Sequence, residues 1–242
     1  MKITIAGYGF VGKAHYELLK DKHDITIYDP QLGYKDLGEP EGIICCVSTP
    51  SRSDGSCEMQ NVYEVIEASP DVPILIKSTI SPEGWQMLTD TFPNRMLNFS
   101  PEFLRAVSAV EDLKNADKLL IGGNSVNFWT KVFDVAIESC DVEALILAKY
   151  ARNSFLALKV AFFNQVYDLC EALGVDYEAV KHYTAMDDRI GNSHMDITKE
   201  RGFGGHCFPK DTKAIVTSAD KEDVSLSILK EAIRYNSTIV KK

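Results

Sequence analysis

The segment Gly7-Tyr-Gly9-Phe-Val-Gly12 constrains this chain more than any other. It follows directly on an apolar run at 2–6 and opens a stretch that reads as a helix. Gly7 allows a tight turn out of the strand. Gly9 lets the main chain approach an anion. Gly12 lets the helix pack closely on the strand, with its N-terminus toward the anion. Phe10 and Val11 lie inside the same turn. Alone, this glycine spacing is a weak signal. Asp29 makes it specific, because it closes the next apolar run twenty residues beyond Gly9. A carboxylate there accepts hydrogen bonds from a ribose diol and repels a 2′-phosphate, so the pattern points to NAD rather than NADP.

Short apolar runs recur at 2–6, 24–28, 42–47, 74–77, 96–99 and 118–121. Several are apolar nearly throughout, as strands covered on both faces are. Helical patterns lie between them at 12–20, 59–68, 82–91 and 126–137. This alternation predicts an α/β Rossmann-type, doubly wound parallel sheet over residues 1–139.

Residues 140–242 predict an all-α domain. No Pro or Gly interrupts 141–173, Asp141 is a good N-cap and Gly174 a good stop. Such a helix is on the order of 45 Å long at 1.5 Å per residue. One apolar stripe runs Phe155, Leu158, Phe162, Val166, Leu169, Leu173, and a second runs Leu156, Val160, Phe163, Tyr167, Cys170. Two stripes imply burial on more than one side. A homodimer through the 141–173 helix accounts for that, and a central helix wrapped by its own domain is the alternative. Shorter helices are predicted near 177–183, 210–219 and 225–240.

With 26 Lys+Arg against 35 Asp+Glu the net charge is −9, which disfavours nucleic-acid or anionic-membrane partners. No run reaches the ~18 apolar residues of a membrane span, and glycines break the N-terminal apolar stretch at once, so a cytoplasmic protein is expected. Six cysteines show no zinc spacing, and no metal is expected. In that setting the sequons at Asn98 and Asn236 are expected to be idle.

The densest chemistry lies in Gly202-Phe-Gly-Gly-His-Cys207-Phe-Pro209-Lys210-Asp211. Pro209 suits the first turn of a helix, so Cys207 stands at or just before a helix N-terminus with Lys210 nearby. Both features favour the thiolate, the nucleophilic form. Asp211 can serve as a base or orient one. Lys149 and Asn153 share a helix face at i and i+4, an ammonium beside an amide donor suited to an alkoxide or oxyanion. Thr79 and Glu102 each follow a strand of the first domain, where an open α/β sheet has its ligand crevice. Ser48 and Thr49 end the third strand and would line the nicotinamide side. His206 beside Cys207 is a poor dyad, since adjacent side chains rarely meet.

These motifs, with Asp117-Lys-Leu-Leu-Ile-Gly-Gly123, Phe155-Leu-Ala157 and Asp187-Asp-Arg189-Ile-Gly191, resemble the UDP-glucose/GDP-mannose dehydrogenase family, in order over nearly the whole chain. The resemblance implies four-electron oxidation of a nucleotide sugar, most simply UDP-glucose to UDP-glucuronate, with two NAD and one water. It implies that Cys207 forms a thiohemiacetal and then a thioester, and that Lys149 and Asn153 stabilise oxyanions. Asp211 would assist proton transfer, Thr79 would orient a water, and Glu102 would position or activate the hydrolytic water. Phe103, Leu104, Phe203, Gly204 and Lys210 would contact substrate, with Lys210 also near the cofactor. Arg189 would reach the substrate of a neighbouring subunit.

Two departures stand out. Ala106 replaces a glutamate that the family carries four residues after Glu102, which would weaken NAD binding or the rate. Relatives continue into a third nucleotide-binding domain, whereas 228–236 resembles the helix leading to it and the chain then stops. Two other functions remain open: a two-electron dehydrogenase of a smaller hydroxy compound on the same scaffold, against which the Cys207 loop argues, and a catalytically weak NAD-binding dimeric subunit, which the two departures keep open.

Overall fold

The computed structural model describes residues 1–103, 109–205 and 207–240. By compactness the chain divides into two units, Met1–Lys149 and Tyr150–Lys242.

The first unit is a seven-stranded sheet flanked by helices. In chain order it contains β1 (Lys2–Ala6), α1 (Phe10–Leu19), β2 (Asp24–Tyr28), β3 (Gly42–Cys45), α2 (Gln60–Ala68), β4 (Ile74–Ile76), α3 (Pro82–Thr91), β5 (Leu97–Phe99), α4 (Ala109–Lys114), β6 (Lys118–Gly123), α5 (Val126–Trp129) and β7 (Ala136–Cys140). The sheet order is β2-β1-β3-β4-β5-β6-β7. Strands β2 to β5 are mutually parallel in that order. The chain leaves β1 toward β2 and returns on the other side at β3. The ends of β1 and β3 therefore flank the point where the winding reverses, which is where such sheets bind ligands. Ile43, Ile44, Ile74, Leu75 and Ile76 are fully buried, as strands sandwiched between helix layers must be. Ile3, Ile5, Leu75, Ile121 and Trp129 share one core cluster.

Two features differ from the sequence expectation. Residues 126–137 do not form one helix: α5 ends at Trp129, and 136–140 is a strand parallel to β6. This is an edge strand whose exposed Glu138 pairs with Lys118 of β6 at 2.5 Å, so it lacks the apolar run that marks a central strand. The sheet is also mixed, because β5 and β6 are antiparallel. An apolar run specifies a strand but carries no direction.

In the second unit α6 (Val142–Leu173), whose first turns belong to the first unit, is followed by α7 (Tyr177–Ala185), α8 (Phe208–Lys221) and α9 (Ser227–Ile239). Asp141 Oδ1 accepts from Ala144 N at 2.7 Å, and Gly174 turns the chain at φ +67°. Ala157, Ala161 and Phe203 form the core, with Phe208 and Ile233 against them. Of the two stripes on α6, one is covered at Phe163 and Cys170. The other stays open, with Phe155 66% and Phe162 59% exposed. Among the described residues no helix is long and apolar enough to cross a membrane.

Candidate active site

Gly7 leaves β1 at φ +90°, and a Cβ there would stand 2.7 Å from the main chain of Cys46 at the end of β3. Gly12 is tighter still: its Cβ would lie 2.0 Å from Gly7 O. Gly9 is the N-cap of α1, has no side-chain cap, and has nothing within 4 Å of a built Cβ. Phe10 and Val11 form the first turn of α1, with Phe10 exposed. Asp29 Oδ2 accepts from Tyr8 N at 2.8 Å, which draws this carboxylate against the glycine turn. A helix N-terminus with open space above its glycine cap and a carboxylate beside it suits a dinucleotide: pyrophosphate on the amides, ribose hydroxyls on Asp29.

The loops after β3 and β4 are tied together. Thr49 Oγ1 donates to Thr79 O at 2.7 Å, Cys57 Sγ to the same carbonyl at 3.2 Å, and Ser78 Oγ to Val47 O at 2.7 Å. Ser48 is exposed beside them, its carbonyl accepting from Asn61 Nδ2. Below these loops lies a buried ion pair. Lys77 Nζ, 3% exposed, donates to Ser100 Oγ at 2.9 Å and stands 3.5 Å from Glu102 Oε2. Glu102 is held at its other end too, because Lys149 Nζ donates to its carbonyl oxygen. The Lys149 ammonium also lies over the Phe103 ring, 5.7 Å from its centroid. On α1 the fully buried His15 donates from Nδ1 to Val11 O at 2.9 Å. Burial lowers its pKa to about 4, helped by the charge on Lys77. Burial likewise pushes the Cys45 thiol up to about 11, so it is no nucleophile at neutral pH.

In the second unit the half-buried Cys207 is the N-cap of α8, with Pro209 in the first turn. Asp211, fully buried, uses both carboxylate oxygens: Asn153 Nδ2 donates to Oδ2 at 2.6 Å and Lys210 Nζ to Oδ1 at 2.5 Å. Gly204 and Gly205 are exposed, with nothing within 4 Å of a Cβ at either position. Phe203 is placed differently from its neighbours, its ring buried against Ala157 and Ala161 and its main chain facing polar partners. Arg189 is 89% exposed at its side chain and is gripped by Asp187, with Nη2 to Oδ2 at 2.5 Å. Lys159 Nζ donates to the carbonyls of Ile190 and Gly191, fixing that turn. Leu104, Ala106 and His206 lie outside the described residues. Among the described residues no group of three or more His, Cys, Asp or Glu is arranged to hold a metal ion.

Sequence reasoning missed Lys77 as a partner of Glu102, and also missed Asn164 and Asn236. A lysine closing an apolar strand beside a later Pro-Glu pair was the only available signal for the first.

Two family models match the chain. The NAD-binding domain of the UDP-glucose/GDP-mannose dehydrogenase family covers residues 31–135, and the central domain of the same family covers 144–238. The UDP-glucose 6-dehydrogenase of Rickettsia felis is 34% identical over 219 residues, 83% of this chain and 48% of that protein. The chain spans about half the length of the curated relatives it matches. A UDP-glucose dehydrogenase structure from Pyrobaculum islandicum aligns with TM-score 0.84 at 25% identity, over 98% of this chain and 68% of that one. The 3-hydroxyisobutyrate dehydrogenase of Mycobacterium tuberculosis shares the fold, with TM-score 0.76 at 15% identity over 98% of this chain and 93% of that one.

Proposed function

The chain belongs to the UDP-glucose/GDP-mannose dehydrogenase family, and from that premise we propose that it performs the NAD-dependent four-electron oxidation of a nucleotide sugar, most simply UDP-glucose to UDP-glucuronate. The observation that carries this reading is Cys207 at the head of α8, one turn before a buried Asp211 that Asn153 and Lys210 hold from both sides. A single oxidation of an alcohol needs no thiol, whereas carrying an aldehyde on to an acid is eased by one, because the covalent adduct presents a C–H for the second hydride transfer.

NAD, when bound, supplies the hydride acceptor. Residues 1–139 would hold it, with Gly7, Gly9, Phe10, Val11 and Gly12 at the pyrophosphate, Asp29 at the ribose, and Ser48, Thr49 and Thr79 toward the nicotinamide. Residues 140–242 would contribute Lys210 to the same cofactor. Cys207 Sγ adds to the C6 aldehyde to give a thiohemiacetal. Loss of a proton and of a second hydride, to the bound acceptor, would give a thioester, and water would release the acid and restore the thiol. Lys149 and Asn153 donate to the developing oxyanions. Asp211 takes part in proton transfer, Thr79 orients a water, and Glu102, held by Lys77, positions the hydrolytic water. Phe103, Leu104, the Phe203–Gly204 main chain and Lys210 contact the sugar nucleotide.

A second copy of the chain would cover the open stripe of α6. Leu158, Phe162, Ile228 and Tyr235 line a groove of about 460 Å³ between α6 and α9, and Ile228 is 77% exposed. The outward Arg189 would then reach the neighbouring copy's substrate.

The test is NADH yield with a panel of UDP- and GDP-sugars. Two NADH per sugar support this reading. One NADH supports a two-electron hydroxy-compound dehydrogenase, for which the shared fold of 3-hydroxyisobutyrate dehydrogenase speaks only at the level of scaffold. NAD binding without turnover identifies a catalytically weak subunit.

A further inference from the structure

The glycine-rich segment before Cys207 starts from a point held by two buried asparagines. Asn236, on α9 and 9% exposed, uses its whole side-chain amide on one residue. Its Oδ1 accepts from Phe203 N at 2.7 Å, and its Nδ2 donates to Phe203 O at 2.9 Å. Asn164, on α6 and 1% exposed, grips the residues just before. Its Oδ1 accepts from Gly202 N at 3.2 Å and from Arg201 Nε at 2.7 Å, while its Nδ2 donates to Val160 O at 2.9 Å. Arg201 is held in turn by Asp168 at 2.6 Å and lies 4.9 Å from the Tyr167 ring centroid. Tyr235 OH donates to the same aspartate at 3.0 Å.

The backbone is shaped to this clamp. Arg201 and Gly202 are both left-handed, at φ 60° and 56°. A Cβ on Gly202 would stand 2.2 Å from Asn236 Oδ1, so only glycine lets the amide approach. Left-handed backbone at a non-glycine residue is costly and persists where its surroundings over-determine it. Beyond Phe203, Gly204 and Gly205 are exposed, with nothing within 4 Å of a Cβ at either, and Cys207 caps α8. The two exposed glycines thus follow directly on the clamped residues 201–203.

We infer that Asn236 and Asn164 are positioning residues for the Cys207 loop, setting where the Gly204–Gly205 main chain and the thiol meet the substrate. The inference rests on the reading of Cys207 as the nucleophile. It also gives Asn236-Ser237-Thr238 a purpose: its amide is a buried clamp on the loop, with nothing left for glycan attachment. Covalent chemistry at a thiol is sensitive to placement, and about 1 Å of misplacement costs on the order of 100-fold in rate.

The test uses the full chain with Asn236→Asp, which keeps the size and the acceptor but turns a second oxygen toward Phe203 O. Asn164→Leu, of similar size, is the second variant and removes the acceptor for Gly202 N. Each is read by melting curve, NAD affinity, amide hydrogen exchange at 202–205, iodoacetamide alkylation mapped to Cys207, and kcat against KM for NADH formation. The expected result is a folded protein with native NAD affinity, exchange at Phe203 at least about 10-fold faster, alkylation at least about 3-fold faster, and kcat reduced about 10- to 100-fold at unchanged KM for NAD. Native exchange and alkylation in a folded variant overturn the clamp. A loosened loop with unchanged kcat overturns its positioning role. If Asn236→Asp does not fold, Asn164→Leu decides by the same readings. If the native protein makes no NADH, the catalytic reading fails separately, while exchange and alkylation still judge the clamp.

Discussion

One substitution made at two positions of the glycine turn has opposite consequences. Gly12→Ala puts a Cβ 2.0 Å from Gly7 O and 3.3 Å from Ile5 Cγ2. Ordinary contact begins at 3.4 Å, so α1 must move about 1.4 Å off β1, or the turn must open. Overpacking of this kind costs about 1–3 kcal/mol, which lowers Tm by about 2–12 °C at ~2–4 °C per kcal/mol for a chain of this size. Gly9→Ala meets nothing within 4 Å, at a φ of −74° that alanine accepts. Its only folding cost is a poorer N-cap, about 0.5 kcal/mol. Its methyl nevertheless occupies the space where the pyrophosphate is proposed to sit. Thermal melts with and without NAD separate the two effects. Saturating ligand at about 100 times Kd stabilises by ~2.7 kcal/mol, and each ten-fold loss of affinity removes about 1.4 kcal/mol of that. Gly9→Ala should melt within about 2 °C of the native protein and lose at least half of the NAD-dependent rise. Gly12→Ala should melt lower in both conditions. A full NAD-dependent rise in Gly9→Ala, or a native melt for Gly12→Ala, refutes the reasoning.

Cys207→Ser should abolish acid formation, because an oxygen ester replaces the thioester; acid measured at the native rate counts against the covalent route. His15 binds its proton with a pKa of about 4 when folded, below the 6.5 of a free imidazole, because burial disfavours the charge. Its stabilising contribution is therefore complete above pH 6.5 and is lost as pH falls toward 4, by up to ~3 kcal/mol. Urea midpoints at pH 7 and pH 5 should differ less in His15→Gln than in the native protein. Lys77→Met should destabilise by ~3–5 kcal/mol, since it removes one member of a buried ion pair. The double variant with Glu102→Gln should be more stable than the sum of the two single losses, and strict additivity in denaturation curves would deny the coupling. Phe162→Glu, on the open stripe of α6, should halve the mass seen by light scattering without lowering NAD affinity; a native protein already monomeric removes the dimer.

The features legible in the sequence are those whose cause is local. The glycine turn is one, because tight turning and close packing demand glycine at fixed spacing. Another is β3 and β4, whose burial on both faces leaves unbroken isoleucine-rich runs. The ends of α6 are a third, since Asp141 and Gly174 act within a turn of themselves. Strand β7 escaped because an edge strand needs only one apolar face, and its Glu138–Lys118 pair resembles any surface pair. The open stripe of α6 escaped for a different reason: both stripes have the same period, and only tertiary neighbours decide which is covered.

The site divides along the same line. Lys210 and Asp211 are adjacent in the chain, and their chemistry is visible together. Lys77 and Glu102 come from the ends of neighbouring strands, where a lysine taken alone reads as a solvated head. The asparagine clamp is the extreme case. Asn236 bonds to the main chain of Phe203, and main chain is the same at every residue, so the partner leaves no mark on its own identity. What marks the pair is the glycine at 202, required by the closeness of the amide oxygen rather than by the turn alone. In a glycine-rich loop, then, each glycine has to be assigned separately to ligand approach or to support from behind. Here Gly202 belongs to the support, and Gly204 and Gly205 belong to the open side.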